Sequence, residues 1–220
     1  MTETPQPSWP PMEERLEEPL QRVLERMQAR ILIGTTYFGI KTFKCPLDFW
    51  VYQELLYECQ PEVVVEIGNF HGGSALALAH ILDALGKGRI IAIDINQRKI
   101  DPRAKRHPRI SWMQGDAKLL AGKVASQISE SERVLIIEDS EHTYDNTLGV
   151  LRAYAGLVSP GSYLIVEDTN CHHGVADGPS PGPYEAVADF LAEDDRFEAD
   201  RIRENFGITW NPRGYLRRVR

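Results

Sequence analysis

The stretch VVVEIGNFHGGSALALAHILDAL, Val63 to Leu85, passes from a continuous apolar run through a glycine-rich turn into an apolar pattern at helical spacing. An apolar run of that length without polar alternation is what a strand covered on both faces looks like, and a helix directly after it opens a βαβ unit. The same alternation continues downstream. RIIAIDI, RISWMQGD, VLIIED and SYLIVEDT read as strands, and NTLGVLRAYAGL reads as a helix between the last two. Right-handed crossovers then build a parallel sheet. The tail changes rhythm: after the helical YEAVADFLAED, the segments FEADRIRE and GITWNPRGYLRRV read as two strands around an Asn-Pro-Arg-Gly turn. So short a connection favours an antiparallel pair. The expected fold class is α/β, a doubly wound, mostly parallel seven-stranded sheet with a C-terminal antiparallel hairpin.

Upstream, residues 1–12 are rich in proline and polar groups and are expected to be flexible. Leu16, Leu20, Val23, Leu24, Met27 and Ile31 predict one amphipathic helix from Glu13 to Ile31, and Leu47, Trp50, Val51, Leu55 and Leu56 a second from Pro46 to Cys59. Residues 13–60 therefore read as a helical extension, and 61–220 as the main domain. The formal charge of −7 offers no basic footprint for nucleic acid or an anionic membrane. No segment approaches the roughly 20 apolar residues of a membrane span, and no leader-like apolar core follows the start. Cys45, Cys59 and Cys171 are odd in number and lack a CxxC spacing, as expected of reduced thiols. Together these predict a soluble, cytoplasmic protein with a small-molecule substrate and no nucleic-acid or membrane partner. The first helix and the edge hairpin suit a homo-oligomer.

In open α/β sheets ligands collect beyond the carboxyl ends of the strands. The first such loop is EIGNFHGGSA, where Gly68, Gly72 and Gly73 permit a tight turn and Ser74 can cap the following helix. The second strand ends in Asp94 and the third in Gly115-Asp116-Ala117. Glu66 beside the turn would repel a pyrophosphate but tolerates a cationic ligand, and S-adenosylmethionine carries both an ammonium and a sulfonium. The ordered set resembles the motifs of class I methyltransferases, with their Rossmann-like fold. That resemblance implies Glu66 and Gly68 near the methionine end, Asp94 on the ribose and Asp116 toward the adenine. Asn69, Gly73, Ser74, Ala117 and Asp139 complete the expected cofactor-binding residues. Taken singly, Asp94 and Asp116 also suit plain strand-end capping.

Asp139 follows the fourth strand, and Glu167 and Asp168 follow the fifth, with room between for one helix and one strand. Adjacent strands would bring the three carboxylates together, where without a cation they would repel and raise one another's pKa. All-oxygen ligation suits a hard ion, Mg²⁺ best and Mn²⁺ possible. His142, three residues beyond Asp139, is placed to act as general base in an O-methyl transfer. In the same stretch Glu138 is expected on the adenine side, and Glu141 and Asp145 are ordinary helix-start acids.

IKTFKCPLDFWVYQELL, VVEIGNFHGGSALALA, EDSEHTYDNTLGVLRAYAGLVSPGSYLIVEDTN, GPYEAVADFL and GITWNPRGYLRRV together resemble the cephalosporin hydroxylase family from about Gly39 to the C-terminus. The resemblance implies an Mg²⁺- and S-adenosylmethionine-dependent O-methyltransferase acting on a natural product, with metal at the positions of Asp139, Glu167 and Asp168 and a histidine base at His142. One departure is CHHG, which adds His172 and His173 after the acidic pair. Two rival readings are a non-haem iron oxygenase built on two histidines and a carboxylate, and a non-catalytic subunit that binds S-adenosylmethionine. The hydroxyl of a sugar, macrolide, β-lactam or phenol would each suit the site.

Overall fold

A computed structural model describes residues 10–171 and 180–220. The central sheet has seven strands: β3 (Val63–Ile67), β4 (Arg89–Asp94), β5 (Ile110–Gln114), β6 (Val134–Glu138), β7 (Tyr163–Val166), β8 (Phe197–Ala199) and β9 (Tyr215–Arg218). A two-stranded ribbon, β1 (Thr36–Tyr37) with β2 (Ile40–Lys41), precedes them. The spatial order is β5-β4-β3-β6-β7-β9-β8. The first five strands are parallel, β9 runs antiparallel to β7, and β8 antiparallel to β9.

Strands β3 and β6 are buried throughout, which is why their sequences are apolar without alternation. One face is covered by α2 (Pro46–Cys59) and α3 (Gly73–Leu85), whose Val51, Leu55, Leu78 and Leu82 pack on Val64, Ile90 and Leu135. The other is covered by α5 (Ala117–Ala125), α6 (Tyr144–Tyr154) and α7 (Pro183–Glu193), where Leu148, Leu151, Val187 and Phe190 meet Val65, Ile136 and Leu164. The short α4 (Pro102–Lys105) closes the β4–β5 crossover. The segment that reads as a helical extension thus contributes α2 to the same core.

Two expectations change in detail. The single helix from Glu13 divides: a 3₁₀ turn spans Met12–Glu14, and α1 runs Leu20–Gly34 with Pro19 as its N-cap. Proline has no amide hydrogen to continue a helix begun upstream, so the chain restarts there. Ile31 is the one α1 residue in the buried class, while Leu20, Leu32 and Ile33 are exposed. The antiparallel edge pair forms, but residues 200–214 join its strands through a 3₁₀ turn, Arg201–Glu204. The Asn-Pro-Arg-Gly turn, closed by Gly214 N–H donating to Asn211 O at 2.8 Å, sits just before β9. β9 inserts between β7 and β8, so its apolar residues pair on both sides.

The chain leaves β3 toward β4 on one side, and β6 lies on the other, so β3 and β6 flank the switch point of the sheet. A crevice opens there.

Candidate active site

The crevice is a cavity of about 650 Å³ at the carboxyl ends of β3, β4, β5 and β6. Its lining includes Gly68, Asn69, Gly73, Ser74, Asp94, Asp116, Ala117, Asp139, His142 and Asp168, so nearly every residue singled out from the sequence meets at one place.

Gly68 has φ +90°, and a Cβ there would lie 1.8 Å from Asp139 O. The first loop therefore passes against the backbone after β6, which only glycine allows. Gly73 packs as closely on the ribbon side, where a Cβ would lie 1.9 Å from Thr42 Oγ1. Asp94 holds the loop: its Oδ2 accepts the backbone N–H of Asn69 at 2.8 Å and of Phe70 at 3.0 Å. Asp116 caps α5 by accepting the Lys118 N–H at 2.9 Å. Both acids thus perform the capping role that their strand-end positions allow, while still lining the cavity. Glu66 is fully buried and, like Glu167, lies beneath the cavity lining; burial pushes its carboxyl up to about 7 against the pull of Lys44. One Glu66 oxygen accepts from Asn69 Nδ2 at 2.8 Å, while Glu66 Oε1 and Asn69 Oδ1 are buried without a hydrogen-bond partner. Two orphaned acceptors are the complement of an ammonium group, which fits the amino-acid end of S-adenosylmethionine.

Glu138 departs from expectation. It is buried below the crevice and does not line it, and its Oε1 accepts the Ser140 backbone N–H at 3.2 Å and the Ser140 hydroxyl. Ser140, which does line the cavity, takes up its carboxyl instead.

The ladders carry the acidic residues to one level. Asp139 N–H donates to Ile67 O at 2.7 Å, and Glu167 N–H to Glu138 O at 2.9 Å. Asp139, His142 and Asp168 each present an atom within 4.8 Å of the others. His142 Nε2 lies 3.2 Å from Asp168 Oδ2 and 3.8 Å from Asp139 Oδ1. Asp168 takes φ +54°, and its N–H donates to Asn211 Oδ1 at 3.0 Å. Glu167 sits deeper and is gripped differently.

The three carboxylates, read from the sequence without a protein cation, already meet one. Lys44, between β2 and α2, places its Nζ 2.5 Å from both Asp139 Oδ2 and Glu167 Oε1, and only 7% of its side chain is exposed. Burial opposes its charge, but Asp139, Glu167 and Glu66 outweigh that and hold the ammonium above its ordinary value. One ammonium does not balance the cluster. Burial, with Asp139 adding to it, pushes Glu167 well above the carboxylate range, and burial lifts Asp168 to about 6. More positive charge is called for, and a divalent ion fits: three carboxylates, one ammonium and two charges on an ion sum to zero. The donors are carboxylate oxygens, a set for a hard ion, with the His142 imidazole beside them.

Sequence reasoning missed Lys44, Asn211 and Asp48. Asp48 is buried at the start of α2, accepting from Thr209 Oγ1 at 2.5 Å, Trp210 N–H at 2.8 Å and Tyr215 Oη at 2.8 Å. Asn211 Nδ2 donates to Tyr52 Oη at 2.8 Å. This buried network backs Asp168 from behind. Nothing local to IKTFKCP separates Lys44 from Lys41, three residues earlier. His172 and His173 lie outside the described residues, so a two-histidine iron site draws only His142 from those described.

A seven-stranded sheet of this order, with a ligand crevice at its switch point, is the fold of the class I S-adenosylmethionine-dependent methyltransferases. Residues 29–219 match the model of the Rhamnosyl O-methyltransferase/CmcI family, and the chain belongs to that family. It is 37% identical over 191 residues to a rhamnosyl O-methyltransferase of Mycobacterium tuberculosis H37Rv, covering 83% of this chain and 77% of that one. A rhamnosyl O-methyltransferase of Mycobacterium leprae is 35% identical over 191 residues, with 83% and 82% covered. Among solved structures, "cmcI-D160 Mg-SAM" superposes with a TM-score of 0.66 at 23% identity, over 99% of this chain and 88% of that one. A Bacillus cereus O-methyltransferase solved with SAH reaches 0.55 at 17% identity, over 81% and 80%. Those two likenesses concern the fold.

Proposed function

We propose that the protein transfers the methyl group of S-adenosylmethionine to a hydroxyl of a small sugar-bearing metabolite, assisted by a divalent cation. The observation that carries this reading is the meeting of Asp139, His142 and Asp168 on the cavity wall, beside the orphaned acceptors of Glu66 and Asn69. The sugar is favoured over other hydroxyls by the rhamnosyl O-methyltransferases, which share 35–37% of their aligned residues with this chain.

The cofactor supplies an electrophilic methyl on its sulfonium. Glu66 and Asn69 receive its ammonium, the Gly68–Gly73 turn admits it closely, and Asp94 and Asp116 border the far end of the cavity. Asp139, Glu167 and Asp168 would hold the cation, Mg²⁺ or alternatively Mn²⁺, which supplies charge that lowers the pKa of a neighbouring hydroxyl. His142, whose Nε2 faces Asp139 and Asp168, accepts the hydroxyl proton on its imidazole. Asp168 steadies that imidazole, and the Asn211 contact steadies Asp168. Protein groups thus contribute alignment and proton acceptance, and little covalent chemistry.

The test is methyl transfer from isotopically labelled S-adenosylmethionine to rhamnoside acceptors, with and without EDTA. Transfer that EDTA abolishes and Mg²⁺ restores is expected. Full transfer in EDTA would remove the cation from the reading, and binding of S-adenosylmethionine without transfer to any hydroxyl acceptor would leave a binding subunit.

A further inference from the structure

We propose that Lys44 is a positioning residue of the cation site: it occupies one position in the carboxylate cage as a tethered single charge and so sets which ion charge the cage accepts. The inference rests on the divalent-cation reading above and goes beyond it, because a ligand list of Asp139, Glu167 and Asp168 assigns the lysine no part.

The geometry is specific. The ammonium spans two strands' ends, with Asp139 beyond β6 on one side and Glu167 beyond β7 on the other, each at 2.5 Å. It takes Oδ2 of Asp139 and Oε1 of Glu167, and it leaves Asp139 Oδ1 as the oxygen that faces His142. A carboxylate held through one oxygen has its plane fixed, so the other oxygen is aimed before any ion arrives. Lys44 is itself fixed from both directions. Its N–H donates to Thr42 O at 2.9 Å, Thr42 packs into the space that Gly73 leaves, and Pro46 opens α2 two residues on. The lysine is therefore built into the wall.

Charge follows from the same contacts. With Lys44 present, the three carboxylates need two more positive charges; without it they need three. Coulomb energy scales with the ion's charge, so removing the ammonium favours every cation but favours a trivalent one by half as much again. The ratio of La³⁺ to Mn²⁺ affinity is thus a readout that general damage to the fold does not move in a set direction.

Calorimetric titration of the full chain with Mn²⁺ and separately with La³⁺ tests this. Lys44→Met is expected to raise the La³⁺:Mn²⁺ affinity ratio about fivefold or more over the unmodified protein, from one unit of charge a few ångströms away. Lys44→Arg, which keeps the charge, is expected to stay within about twofold of the unmodified ratio. Lys44→Gln serves as the neutral variant should the methionine fail to fold. A ratio unchanged in the neutral variant, or shifted equally by arginine, overturns the role given to Lys44 while leaving the cation site standing. Absence of binding by either ion to the unmodified protein overturns both.

Discussion

The backbone N–H of Asp168 donates to Asn211 Oδ1 at 3.0 Å, joining the acidic loop after β7 to the turn before β9. Asp168 takes φ +54°, a conformation that costs a non-glycine residue energy and persists where its surroundings impose it. Asn211→Ala removes that restraint and leaves the buried Tyr52 hydroxyl without its Asn211 partner. We expect a loss of about 1–3 kcal/mol in denaturant unfolding, together with reduced methyl transfer. Unchanged stability and rate would show that Asp168 keeps its conformation unaided.

His142→Gln tests the base. With the imidazole assigned to proton acceptance, kcat is expected to fall about 10²- to 10⁴-fold, while S-adenosylmethionine affinity stays within about twofold. A kcat close to that of the unmodified enzyme at neutral pH would assign the proton to another group.

Gly68→Ala places a methyl group where Asp139 O already lies 1.8 Å away, at a φ of +90°. The backbone of one loop has to move, and a shift after β6 carries Asp139, the proposed metal ligand, with it. Loss of cofactor binding and a destabilisation of more than about 2 kcal/mol are expected, read by calorimetry and thermal unfolding. Gly86→Ala, where nothing lies within 4 Å, shares the positive φ of +73° and reports the conformational part alone.

Glu66 gives a pH signature in the cofactor-free protein. Its folded value of about 7, raised chiefly by burial, exceeds the unfolded value of roughly 4.3. The folded state therefore holds the proton more tightly, and its contribution is complete below about pH 4 and lost as pH rises through 7. Thermal stability should decline across that window by up to about 1.4 kcal/mol per pH unit, and Glu66→Gln should flatten the decline. Parallel profiles for the two proteins would remove Glu66 as its source.

Local pattern was enough for the architecture. Apolar runs such as Val63–Val65 and Leu135–Ile137 are confined to positions buried on both faces, so hydrophobic burial writes the parallel sheet directly into the chain. Pro46 at the first turn and Cys59 at the last bound α2 where the sequence placed them. The first helix was overextended because apolar spacing runs on through Pro19, where a missing amide hydrogen ends it. The hairpin turn was misplaced because Asn-Pro-Arg-Gly is a turn wherever it occurs, and nothing local says which strands it joins.

The site divides in the same way. Residue type and position at a strand's end were sufficient to gather Asp94, Asp116, Asp139, His142 and Asp168 around one crevice, with Glu66 buried beneath it, because strand ends in a doubly wound sheet share an edge. Glu138 lies beneath the crevice and not on its wall, because its buried carboxyl is taken up by Ser140, which lines the crevice. Lys44 and Asn211 were invisible, being 95 residues from Asp139 and 43 from Asp168 along the chain. Sequence alone therefore determined the sheet, the helices and the acids at its carboxyl edge, which follow from burial and local hydrogen bonding. Only the tertiary structure decided which cation those acids already hold and what braces them, because electrostatic pairing depends on distance in space and leaves no period in the chain.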